Sequence, residues 1–295
     1  MTRGGRSVRT YHLAGGPVKV RDRAAARKRL LHTRFLSWTA TDGEIKPSPI
    51  SALEKVVQES LSASAPYGYR LLRPAGGGEV ITLLGESVSG GGLDNAAFYT
   101  PVSDRGIPMD PITTVIEVKN VRQWIYPSTQ ELYQLLDKAA QLQLLHPDSR
   151  FQPVLVCRRV HSWTGQMAKQ MGFYVVGTWR QYLRPIVGGD PDEPDSVERR
   201  LFDEVNEELA YNLELHEAAV DPLINHFTTL IPERMPEGPD RWKLMAEHLS
   251  IPTLLRTLRD DAISGDDRKA ALTALAEAAD EVTGETGKWG PKHNW

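Results

Sequence analysis

Between residues 113 and 160 the chain sets two apolar, β-branched runs around one long helical stretch, an order that few architectures can accommodate. Residues 113–119 and 153–160 read as strands. Residues 128–145 read as a helix opened by a capping box, with Ser128 three positions before Glu131. A short helix over 163–171, stopped by Gly172, and a further strand over 173–183 follow. Upstream, residues 49–63 predict an amphipathic helix with Ile50, Leu53, Val57, Ser60 and Leu61 on one face. Strand-like segments at 67–72, 79–84 and 93–99 are separated by the glycine runs 76–78 and 90–92, which read as hairpin turns. Helix, β-meander, then strand–helix–strand make an α/β fold.

Past Pro185 the pattern changes. Residues 188–195 have the Gly, Pro and Asp richness of a linker. Residues 196–283 show no strand-like alternation, and Val197, Leu201, Val205, Leu209 and Leu213 recur at helical spacing. The expected organisation is a basic N-terminal arm and helix over 1–47, an α/β domain over 48–187, the linker, an acidic all-α unit over 196–283 and a flexible tail over 284–295. The single cysteine, Cys157, excludes an internal disulfide and a Cys-rich zinc site, and is expected to fill a buried strand. No apolar run approaches the roughly 18 residues a membrane span requires, nor is there a signal-peptide pattern, so a cytoplasmic protein with no membrane partner is expected.

The net charge of −3 conceals a strong asymmetry. Residues 1–38 carry ten Lys and Arg against Asp22 alone, whereas 190–295 carry 24 acids and 11 bases. A basic segment is the signature of a polyanion partner, because each cation that neutralises a phosphate releases condensed counterions. Arg21, Arg23, Arg27, Lys28, Arg29 and Arg34 are therefore candidate nucleic-acid contacts, with DNA the leading partner. The same cations could instead dock on the acidic C-terminal third, of this chain or of a neighbour. That acidic region is in turn a candidate surface for a protein partner or self-association.

Chemistry concentrates in Val115, Ile116, Glu117, Val118 and Lys119. A strand's side-chain period of two puts Glu117 and Lys119 on one face and Ile116 and Val118 on the other. Asp94, 23 positions before Glu117, lies in a segment that could pair beside this strand, bringing two carboxylates to one cation. Hard oxygen ligands with open water positions suit Mg²⁺, and a neighbouring lysine could orient water or offset charge developing on phosphorus. The inert alternative is a solvated strand-face ion pair.

This constellation resembles the PD-(D/E)xK nuclease superfamily, nearest in pattern to Mrr-like and Holliday-junction-resolvase-like members, over roughly residues 48–184. The resemblance implies a restriction-endonuclease-like mixed β-sheet flanked by helices. It implies Asp94 and Glu117 as ligands of Mg²⁺ or Mn²⁺, a further ligand in the Val118 carbonyl, Lys119 as the catalytic lysine and Glu54 as the acid of the first helix. Some relatives add a glutamine on the helix after Glu-x-Lys, for which Gln130 and Gln134 are the candidates. The proline that often precedes the aspartate is replaced here by Leu93. Asp110, beside Pro111, stands too close to Glu117 for a separate strand and turn.

Other motifs are absent. The histidines offer no helical i, i+4 pair, there is no Gly-x-Ser-x-Gly elbow, and the glycine runs fit no phosphate loop or dinucleotide fingerprint, so no nucleotide cofactor is expected. The expected function is a metal-dependent endonuclease hydrolysing DNA phosphodiester bonds, in restriction, phage defence or repair. The alternative is an inactive nuclease-fold subunit that binds nucleic acid or scaffolds a larger complex. Trp124 and Tyr126, after the Glu-x-Lys strand, could stack on bases or anchor a surface loop.

Overall fold

The computed structural model describes residues 2–4, 6–8, 17–39, 49–74, 78–183, 197–234, 237–287 and 289–291. In chain order the elements begin with β1 (Thr2–Gly4), β2 (Arg6–Val8), α1 (Val18–Thr39), α2 (Pro49–Ala63), β3 (Tyr69–Leu71), β4 (Thr82–Leu83), β5 (Glu86–Ser87), β6 (Asn95–Tyr99) and β7 (Ile112–Lys119). They continue with α3 (Gln130–Leu145), β8 (Arg150–Cys157), α4 (Ser162–Met171), β9 (Tyr174–Gly177), β10 (Gln181–Leu183), α5 (Val197–Leu209) and β11 (Leu213–Leu215). The last are α6 (Asp221–Asn225), α7 (Ile231–Arg234), α8 (Gly238–Glu247), α9 (Ile251–Arg259) and α10 (Gly265–Thr283). No helix among the described residues is long and apolar enough to cross a membrane.

Two compact units result, one of Ala52–Trp179 with Glu217–Trp295, the other of Met1–Ser51 with Arg180–His216. The larger unit is built on a five-stranded mixed sheet of order β3-β6-β7-β8-β9. β3, β6 and β7 run antiparallel to their neighbours, whereas β7, β8 and β9 are parallel. β7 and β8 are buried along almost their whole length, which is why both faces carry apolar residues, Val115 and Ile116 in β7 and Val154 and Leu155 in β8. α3 crosses from β7 to β8 and α4 from β8 to β9. α3 lies against β7 and β8, is packed in turn by α8 and α9, and α10 packs on α9. Val115, Leu155 and Cys157 of the sheet share one apolar cluster with Leu135 and Leu142 of α3 and with Trp242 and Leu272 of the later helices.

In the smaller unit α1 packs on α5, and Leu31, Phe35, Leu183, Phe202, Val205 and Leu213 form its core. β10 and β11 pair in parallel. The Asn206 side chain secures β11 by accepting from the Leu213 N–H at 2.7 Å and donating to its carbonyl at 3.1 Å.

Several expectations are corrected. Residues 173–183 form two strands, and the second, β10, belongs to the smaller unit with β11, a strand inside a stretch expected to be all helix. The basic segment is no independent arm over 18–39, because Leu31 and Phe35 of α1 are core residues. The expected 196–283 unit is divided, with α5 and β11 in the smaller unit and residues 217 onward in the larger. The expected flexible tail contains Trp289, which is fully buried and donates from Nε1 to Gln170 Oε1 at 2.5 Å. The capping box does not form: the N-cap of α3 is Thr129, whose Oγ1 instead accepts from the Tyr126 N–H at 2.8 Å. The β4–β5 hairpin turns at Leu84 and Gly85, both at positive φ (52° and 92°), as its two-residue turn requires. The linker at 188–195 and the turn residues Gly76 and Gly77 lie outside the described residues.

Candidate active site

The site is assembled where β6 begins and β7 ends. The β6–β7 ladder pairs Asn95 with Ile116, so the next antiparallel step sets Asp94 opposite Glu117. Asp94 Oδ2 accepts a hydrogen bond from the Val118 N–H at 2.6 Å, closing the ladder with a side chain in place of a carbonyl. The period of two sends Glu117 and Lys119 toward the face that carries Val115 and is covered by α3. Lys119 Nζ donates to Glu117 Oε1 at 2.8 Å.

A fourth charged group completes the arrangement. Lys138 of α3, only 6% exposed, donates from Nζ to Glu117 Oε2 at 3.2 Å and to the Gly92 carbonyl at 2.5 Å. Glu117 is itself 3% exposed, so both of its oxygens meet ammonium groups in a low-dielectric setting. Burial and then the Glu117 charge push the Asp94 carboxyl up to about 7, with Glu54 adding to the rise against the pull of Lys119 and the Val118 N–H. For Lys119, burial works to lower the pKa. Glu117 and Asp94, helped by the Glu117 hydrogen bond and Glu131, outweigh it and leave the ammonium raised.

Of the residues singled out in the sequence, Asp94, Glu117, Val118 and Lys119 thus come together. Glu54 on α2 reaches the site through its field on Asp94, while its carbonyl accepts from Asn95 Nδ2 at 3.2 Å. Neither glutamine joins them. Gln130 Nε2 donates to the Arg259 carbonyl at 2.9 Å, and Gln134 lines a polar cleft with Asp137, Gln141, Arg256 and Arg259. Lys138 was missed, although it stands three positions after Leu135 and four before Leu142, an ammonium set into the helix's apolar stripe. The six candidate cations belong to the smaller unit. Arg27 there pairs with Glu204 at 3.4 Å and Glu208 at 3.1 Å of α5, as the acid-docking alternative requires, while Arg23, Lys28, Arg29 and Arg34 are exposed.

A buried carboxyl raised by a neighbouring carboxylate fits a divalent cation, which would favour its ionised form. Mg²⁺ is satisfied by one or two carboxylates because it keeps several waters. Among the described residues no group of three or more His, Cys, Asp or Glu side chains is placed to hold a metal, so Glu54 completes no three-carboxylate set.

No family model matches the chain, and no curated protein sequence matches it. Among solved structures it is similar to the MspJI restriction endonuclease in complex with a 27-mer oligonucleotide, at 13% identity and a TM-score of 0.20. The match covers 94% of this chain and 44% of that one. At this TM-score the functional reading rests on the geometry of the site itself.

Proposed function

We propose that the protein is a Mg²⁺- or Mn²⁺-dependent endonuclease that hydrolyses DNA phosphodiester bonds, in restriction, phage defence or repair. The observation that carries the reading is the meeting of Asp94 and Glu117 across the β6–β7 ladder with Lys119 in contact. Asp94 and Glu117 would hold the ion, and the Val118 carbonyl lies on the same strand end. A bound ion supplies polarisation of a phosphoryl oxygen and a lowered pKa for its water. Lys119 acts from the edge of this pair, its charge kept by the two carboxylates, to orient water or to offset negative charge on phosphorus. Lys138 fixes the Glu117 carboxylate from the helix side and limits its rotamers.

The test is cleavage of plasmid and short duplex DNA with Mg²⁺ or Mn²⁺. The wild type is expected to cut and Glu117→Ala and Lys119→Ala to be inactive, and equal cutting by either variant rejects the assignment. One observation favours a second reading, a nuclease-fold subunit that binds nucleic acid without cutting it: both Glu117 oxygens are already paired with lysines. Calorimetry separates the two, since a subunit of that kind binds DNA while taking up no divalent ion at millimolar concentration.

A further inference from the structure

Beyond the carboxylate site, the carboxyl ends of β7, β8 and β9 carry a run of aromatic rings that the proposed hydrolysis does not use. Tyr126 stacks on His161 with centroids 4.6 Å apart, and His161 meets Trp163 at 4.6 Å and Trp124 at 6.4 Å. Trp124 meets Trp179 edge to face at 5.8 Å, and the Arg159 guanidinium stands 5.7 Å from the Trp124 ring centre.

Two features set this group apart from core aromatics. Trp242 and Trp289 are fully buried, whereas Trp179 is 54% and Trp124 37% exposed. Trp179 also takes φ 60°, the left-handed region that costs a bulky side chain about 1 kcal/mol or more. The backbone thus holds an indole that stays more than half exposed in a disfavoured conformation. The cationic neighbourhood points to the occupant. Arg159 Nε is buried with no hydrogen-bond partner among the described residues, and Arg122 is exposed two positions before Trp124. Flat π faces beside guanidinium groups match a nucleobase beside its phosphate.

Backbone hydrogen bonds tie these rings to the acidic site. The Arg158 N–H donates to the Lys119 carbonyl at 3.4 Å, and the Trp179 N–H donates to the Arg158 carbonyl at 2.8 Å. Trp179 is therefore two strand spacings from Lys119 along the sheet, roughly 10 Å between backbones. The Ile125 N–H donates to the Arg159 carbonyl at 3.0 Å and holds the Trp124 loop against the same edge.

We propose that Trp124 and Trp179, flanked by Arg159 and Arg122, are a stacking platform for unpaired bases of a DNA strand lying next to the Asp94–Glu117–Lys119 site. As a description of substrate this rests on the nuclease reading and narrows it to DNA with single-stranded or splayed character. In a blunt duplex every internal base is already stacked on both faces, so the platform is offered only the two terminal faces.

The experiment uses the full chain in EDTA, so that binding is read without cleavage. Fluorescence anisotropy of a labelled 15-nucleotide single strand is compared with that of the same sequence as a blunt duplex, for the wild type, Trp124→Ala, Trp179→Ala and Trp179→Phe. Each alanine variant is expected to lose about 10-fold in single-strand affinity, the worth of one stacked base, with duplex binding unchanged and the phenylalanine variant retaining most of the affinity. Single-strand affinity unchanged in both alanine variants, equal loss on both probes, or a wild type that binds no single strand overturns the platform. Quenching of wild-type tryptophan fluorescence by the single strand, lost in the alanine variants, checks the assignment without depending on a variant's fold. A protein that binds through the tryptophans but never cuts defeats the nuclease reading alone. One that cuts through Glu117 and ignores both tryptophans defeats only the platform.

Discussion

Asp94 accepts a hydrogen bond from the Val118 N–H at 2.6 Å, so a carboxylate distant in sequence is fixed to the strand between Glu117 and Lys119. This bond makes the site a property of the sheet. Its position follows from the β6–β7 register, and any slip of one residue would turn Glu117 and Lys119 to the other face.

The proton on Asp94 should be visible in stability. Its carboxyl titrates near 3.8 when unperturbed and about 7 in the fold, raised by burial and then by Glu117. Between those values the folded state binds a proton that the unfolded state has released, so stability falls as pH rises through that window. Urea unfolding at pH 5 and pH 8 should show the wild type weaker at pH 8, and Asp94→Asn, which keeps an acceptor for the Val118 N–H, should lose that difference. Mg²⁺ at pH 8 should raise the wild-type midpoint by mass action and leave Asp94→Asn unmoved. Equal pH slopes in the two proteins would reject the buried-carboxylate account.

Lys138 should behave as part of the acidic site rather than as a surface charge. Lys138→Met leaves Glu117 Oε2 and the Gly92 carbonyl without their buried donor, a loss of about 3 kcal/mol for a broken buried ion pair. Combining it with Glu117→Gln should cost less than the sum of the two single changes, because the second change removes the stranded charge. Additive denaturation energies would show that the pair is not coupled.

How far the pattern of residues foretold this molecule depends on the range of the interaction. β7 was legible because an apolar run enclosing Glu-x-Lys has one period and two faces, and Asp94 because its short segment was one that could pair beside that strand. Lys138 was hidden: a lone lysine in a helix reads as solvated unless its neighbours Leu135 and Leu142 are taken as a stripe facing the sheet. The smaller unit was hidden for a different reason. β10 and β11 are three residues each, too short to show a period, and their pairing joins segments about 30 positions apart. The tail misled as well, because the single aromatic Trp289 in a short polar stretch shows no period, although its indole joins the larger unit's apolar cluster.

That indole gives a third expectation. Trp289 is fully buried and its Nε1 donates to Gln170 Oε1, while Gln170 Nε2 donates to Asp280 Oδ1 at 2.9 Å and to the Glu285 carbonyl at 2.9 Å. Trp289→Ala should cost about 3–5 kcal/mol, the range for emptying a large aromatic site, and lower the urea midpoint without changing the five-stranded sheet. A change under about 0.5 kcal/mol, as at exposed positions, would mean that the segment does not pack in solution.

The basic helix gives the last. Deleting α1 is no clean test of DNA contact, since Leu31 and Phe35 would leave a core with it. Substitution of its exposed cations is. If Arg23, Lys28, Arg29 and Arg34 neutralise phosphates, replacing all four with alanine should reduce the slope of log affinity against log salt for duplex DNA by about 3 to 4, near 0.9 per contact. Arg27→Ala should leave that slope almost unchanged, because its guanidinium is already held by Glu204 and Glu208 and releases no counterion from DNA. Anisotropy titrations between 50 and 200 mM salt read both slopes. If the fourfold variant keeps the wild-type slope, the cations of α1 serve the fold and its acidic partner helix, and phosphate contact must be sought elsewhere.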